Sequence, residues 1–126
     1  MSTTEQPAEF ATPSLDAITR EIDDERQRQL TKWGDQHHPV HSGDATTRRR
    51  SRALFATYAS NYREFNDGNF DPRDPDPRKD WAGIVLEEVY EALAEEDPAK
   101  VRAELVQAAA VICACVADLD SRTDGA

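Results

Sequence analysis

Leu86-Glu87-Glu88-Val89-Tyr90-Glu91, then Asp97-Pro98, then Glu104-Leu105-Val106-Gln107: the reading of this run decides the fold. Residues three apart share one face of a helix, so Glu88 pairs with Glu91 and Glu104 with Gln107. Asp97-Pro98 between them reads as a helix break. The two pairs are centred eight residues to either side of that junction. An antiparallel hairpin turning there sets them level, each roughly 12 Å from the turn at 1.5 Å per residue. Carboxylates facing each other across a hairpin repel and are costly to bury without a cation. Oxygen-only ligation suits a hard ion such as Mg²⁺, with Mn²⁺ as the alternative. The arrangement is expected to be a magnesium site, and magnesium usually arrives with substrate phosphates.

Outward from the hairpin, Asp80 is placed to cap a helix over Trp81 to about Glu96, and Asp97 to cap the next, with Pro98 in its first turn and its end near Ser121. Upstream, Ser14 is expected to cap a helix from Leu15 to about Lys32, ended by Trp33-Gly34. Its apolar anchors are only Leu15, Ile18, Ile22 and Leu30, which makes it a thinly buried helix. A second helix is expected over Ala45 to Phe65, burying Leu54, Phe55, Tyr58, Tyr62 and Phe65. Between the second and third helices, Pro72, Pro75 and Pro77 forbid helix and predict a solvated loop. No segment alternates as a strand does. The expectation is an all-α chain: a four-helix bundle-type protomer with a tight C-terminal helical hairpin, one domain over residues 14–122 behind a flexible lead-in at 1–13.

The last helix is apolar nearly all round, from Val101 through Leu105, Val106, Val111 and Ile112 to Leu119. In a chain of 126 residues, such a helix needs cover from a second subunit, so a homodimer or homotetramer is expected. The net charge of −10 argues against a nucleic-acid partner, which requires a basic footprint. It leaves a nucleotide open, because a metal can carry the phosphate contact. No apolar run approaches the roughly 20 residues that span a bilayer, and the first residues lack the basic and apolar parts of a secretory signal. Cys113 and Cys115 point to nearly opposite sides of a helix and read as small core residues of a cytoplasmic protein.

The acidic pairs resemble the MazG-like branch of the all-α nucleoside triphosphate pyrophosphohydrolases. That family carries Glu-x-x-Glu, a spacer, then Glu-x-x-Asp, often with an extra acid ahead of the first Glu, as Glu87 is here. Glu25-Arg26-Gln27, Gln29 and Lys32-Trp33-Gly34-Asp35-Gln36-His37 are similar to the family's first-helix signature. The resemblance covers most of residues 18–38 and 80–120. It implies an Mg²⁺-dependent dimer or tetramer that cleaves a nucleoside triphosphate to the monophosphate and pyrophosphate. It makes Glu88, Glu91 and Glu104 metal ligands and puts Gln107 where the family has Asp. Gln107 keeps a carbonyl oxygen but removes one negative charge, which weakens the site or turns the contact into one through water. With Glu88, Glu87 is the candidate catalytic residue, set to position the attacking water.

Trp33, Gln36 and His37 carry two readings: a helix-end anchor with a polar loop, or a base pocket in which Trp stacks and Gln reads an edge. Arg48 and Arg52 share a helix face and are either solvated charges or phosphate contacts, since a guanidinium fork fits phosphate oxygens. Lys79 is a weaker candidate of the same kind. His37, His38 and His41 lack partners at zinc spacing. The rival to the enzyme reading is a catalytically silent helical oligomer that binds nucleotide or a protein partner, and Gln107 is the residue that favours it.

Overall fold

The computed structural model describes residues 13–68 and 79–122. Every regular element among them is helical: α1 (Pro13–Trp33), α2 (Ala45–Asn66), α3 (Trp81–Ala94) and α4 (Pro98–Asp120). The predicted lead-in and the proline-dense loop lie outside the described residues. No helix among the described residues is long and apolar enough to cross a membrane.

Helix ends follow local chemistry. Asp80 has extended backbone and its carboxylate accepts from the Gly83 N–H at 2.7 Å, starting α3 as expected. Asp44 does the same for α2 through the Thr47 N–H at 2.8 Å, a cap the sequence reading passed over. That hydrogen bond holds the Asp44 carboxyl below its ordinary range. Gly34, at φ +73°, terminates α1 by donating to the Leu30 carbonyl, a left-handed stop that glycine adopts freely. Ser14 does not cap α1. The helix starts two residues earlier than the expected Leu15, at Pro13, where a missing N–H costs nothing. The α3–α4 connection is Glu95-Glu96-Asp97, and α4 begins at Pro98 as the hairpin reading requires.

The described chain gathers into two compact units. Among the described residues, one holds 13–37 with 113–122, the other 38–68 with 79–112. In the first, Ile18 is buried while Leu15, Ile22 and Leu30 are exposed, so α1 is as thinly buried as its sequence implies. Cys113 and Cys115 are free and partly buried.

In the second unit α2 packs on α3. Tyr90 of α3 lies against three rings of α2, with centroids 5.9 Å from Phe55, 5.1 Å from Tyr58 and 5.9 Å from Tyr62. These α2 rings recur at i, i+3 and i+7, one helical stripe. Leu54 falls a residue off it and is 48% exposed, and Tyr58 stands at its edge at 37%. The expectation that both are buried is therefore corrected. Further along the contact, Gly83 lets the helices approach closely. A Cβ there would meet Asn66 Oδ1 at 2.6 Å. The buried Asn66 amide uses that space to donate to the Gly83 carbonyl at 3.1 Å.

Candidate metal centre

Glu88 and Glu91 project from α3 and Glu104 from α4. Carboxylate oxygens of all three lie within 4.8 Å of one another, and all three side chains are partly buried. The hairpin explains the meeting, because Glu91 and Glu104 are equidistant from the turn and Glu88 stands one helical turn behind Glu91. Glu91 is at a corner. It belongs to the α4-facing cluster, yet its Oε2 also accepts from Arg63 Nη2 of α2 at 2.7 Å.

Arg63 also reaches Glu87, Nε to Oε2, at 3.6 Å. Glu87 Oε1 accepts from Asn66 Nδ2 at 2.7 Å. Glu87 is thus held toward α2 and is not among the three converging carboxylates. Arg63 and Asn66, neither singled out in the sequence, are the braces of the site. The cue available was a stripe: Ala59, Arg63 and Asn66 recur at i, i+4 and i+7, a small residue, a cation and an amide on one face.

The electrostatics are those of crowded acids. Burial first, then Glu91, Glu104 and Glu87 in that order, push the Glu88 carboxyl above its ordinary range. Its Oε2 is fully buried with no hydrogen-bond partner. An orphan carboxylate oxygen beside two further carboxylates is a donor set that could hold a hard cation. A cavity of about 370 Å³ opens beside Glu91 and Glu104 of the cluster, lined also by Arg63, Glu95, Ala56, Ala59 and Ala94.

The other candidates fall elsewhere. Gln107 is exposed on α4 and does not border this cavity. Arg48 and Arg52 line a different cavity. Arg48 donates to the Gly43 carbonyl, and Arg52 stands 3.8 Å from Glu96. Lys79 is exposed ahead of the α3 cap. Trp33, Gln36 and His37 belong to the other unit and are exposed. There the Lys32 ammonium lies 5.0 Å over the Trp33 ring, and His37 Nε2 is 3.0 Å from Asp35. His41 donates through Nε2 to the Leu93 carbonyl at 2.7 Å, which fixes its ring as a structural link.

No protein family, curated protein or solved structure matches this chain.

Proposed function

We propose that the chain is a divalent-metal-dependent nucleotide pyrophosphohydrolase of MazG-like type, converting a nucleoside triphosphate to its monophosphate and pyrophosphate. The observation that carries this reading is the convergence of one carboxylate oxygen from each of Glu88, Glu91 and Glu104 within 4.8 Å, together with a buried Glu88 oxygen that has no hydrogen-bond partner. Mg²⁺, when bound by these three, would supply charge neutralisation for a polyphosphate.

The remaining roles belong to the chain's own groups. Glu88 must be ionised to act as a ligand, which its crowded setting resists in the free protein and a cation favours. Arg63 anchors Glu91 at Oε2, and its cation borders the cavity that phosphates would enter. Glu87, bonded to Asn66 and Arg63, braces the cluster from the α2 side. Each Glu87 oxygen keeps a lone pair beyond those bonds, so in this reading Glu87 and Glu88 remain the pair that positions the attacking water.

The same reading takes the protein to be an oligomer. Val106 and Ile112 are 55% and 43% exposed along α4, with Leu54 and Tyr58 open on α2. That apolar stripe is what a second copy would cover. The test is pyrophosphate release from a panel of nucleoside triphosphates with Mg²⁺ or Mn²⁺, repeated on Glu88→Gln and Glu104→Gln. Release that both variants abolish is the expected result. No release from any member of the panel favours the silent, nucleotide-binding alternative, and release unaffected by both variants removes the site.

A further inference from the structure

Glu95 borders not only the acidic cavity but also a second one, of about 450 Å³, in the same unit. Its apolar surface comes from Val40 ahead of α2 and from Pro98, Val101 and Leu105 on α4. Consecutive residues of α4 thus divide between the two spaces, Glu104 to the acidic one and Leu105 to the apolar one.

Three guanidinium groups, Arg48, Arg52 and Arg102, also line the second cavity, in a chain whose net charge is −10. Arg48 is committed to the Gly43 carbonyl. The Arg52 side chain is only 19% exposed, and its partner Glu96 is 3.8 Å away, beyond hydrogen-bond reach. Arg102 is exposed, and its side chain makes no hydrogen bond or ion pair among the described residues. Planar donors with unused capacity therefore stand around an apolar hollow, within the size range of small-molecule sites.

We infer that this cavity receives the nucleoside half of a nucleotide whose phosphates lie at Glu88, Glu91 and Glu104, an inference that rests on the function proposed above. A nucleobase is apolar on its faces and polar at its edge. Val101, Leu105 and Pro98 suit the faces, and the free donors of Arg52 and Arg102 suit ring nitrogen or carbonyl acceptors. This assigns base recognition to α2 and α4 rather than to Trp33, Gln36 and His37.

The experiment compares tripolyphosphate with the four α,β-methylene nucleoside triphosphates, titrated calorimetrically in Mg²⁺ against the full chain, Leu105→Trp and Arg52→Met. Leu105 is 43% exposed, so the larger ring can grow into the cavity without repacking a core. The unaltered chain is expected to bind at least one nucleotide about tenfold or more tightly than tripolyphosphate, the scale set by removing a ring face from water. Leu105→Trp and Arg52→Met should erase that preference while tripolyphosphate affinity stays within about twofold. Equal binding of nucleotide and tripolyphosphate by the unaltered chain overturns the inference and leaves the metal site standing. So does retention of the preference by both variants. Failure of tripolyphosphate to bind the unaltered chain in Mg²⁺ refutes the carboxylate reading itself, and this inference with it.

Discussion

Glu88→Gln should make the metal-free protein more stable, the reverse of the usual outcome for a change at a partly buried polar residue. At 4.8 Å, the outer limit of the oxygen spacing in this cluster, two carboxylate charges repel by about 3.5 kcal/mol at an effective dielectric of 20, and Glu88 faces two of them, Glu91 and Glu104. The strain has a ceiling. Protonating a glutamate of ordinary value 4.5 at pH 7 costs about 3.4 kcal/mol, at about 1.36 per pH unit, so repulsion beyond that is relieved by taking up a proton. Solvent and Arg63 screen part of the rest. A gain of about 2 kcal/mol, or about 8 °C in Tm, is expected for Glu88→Gln in chelator.

The pH dependence has a definite sign. Glu88 has a raised carboxyl value in the folded state, so the folded protein holds more protons than the unfolded one between 4.5 and that raised value. Stability of the metal-free chain should therefore fall as pH climbs through that window and level off above it. Glu88→Gln should lose this slope. Metal reverses the comparison: at a concentration about tenfold above its dissociation constant, Mg²⁺ should stabilise the unaltered chain by about 1.4 kcal/mol and leave Glu88→Gln unmoved. Thermal melts across pH, with chelator and with Mg²⁺, give each of these quantities. A Glu88→Gln protein less stable than the parent in chelator would refute the reasoning, because it would mean that the cluster is not strained.

Gly83→Ala should destabilise by about 1–3 kcal/mol by urea denaturation, although alanine normally favours a helix, because its Cβ would stand 2.6 Å from Asn66 Oδ1. Val106→Glu places a charge in the exposed α4 stripe and should convert a dimer or tetramer to monomer by sedimentation, with the melting temperature of the isolated chain little changed. Gln107→Asp should tighten Mg²⁺ binding by no more than about threefold, since an exposed charge is screened by water. A gain of a hundredfold in a titration would instead place residue 107 in direct contact with the ion.

The hairpin was legible because its determinants are local. Asp97-Pro98 breaks one helix and opens another, Asp80 caps α3, and i, i+3 spacing fixes which acids share a face. Equal distance from the turn then brings Glu91 opposite Glu104. Arg63 was not legible in the same way. It meets Glu91 across 28 residues, through the docking of α2 on α3, and no spacing rule spans that interval. The hydrogen bond of Glu87 was not legible for the same reason: its partner Asn66 is 21 residues away. Leu54 looked buried because it is apolar and adjoins Phe55, but one residue is 100° around a helix, enough to leave the stripe.

The three-residue connection Glu95-Glu96-Asp97 has a kinetic consequence. Glu88 and Glu104 are only 16 residues apart, so bringing the acids together requires closing a short loop, an inexpensive and fast event. The hairpin can assemble the cluster before α2 arrives with Arg63. At that stage the carboxylates have no internal counter-ion, and their mutual repulsion opposes closure. Dissolved divalent cations should then accelerate refolding in stopped-flow mixing, and not merely slow unfolding. The metal would act as a folding nucleus, with Arg63 docking onto a hairpin already shut.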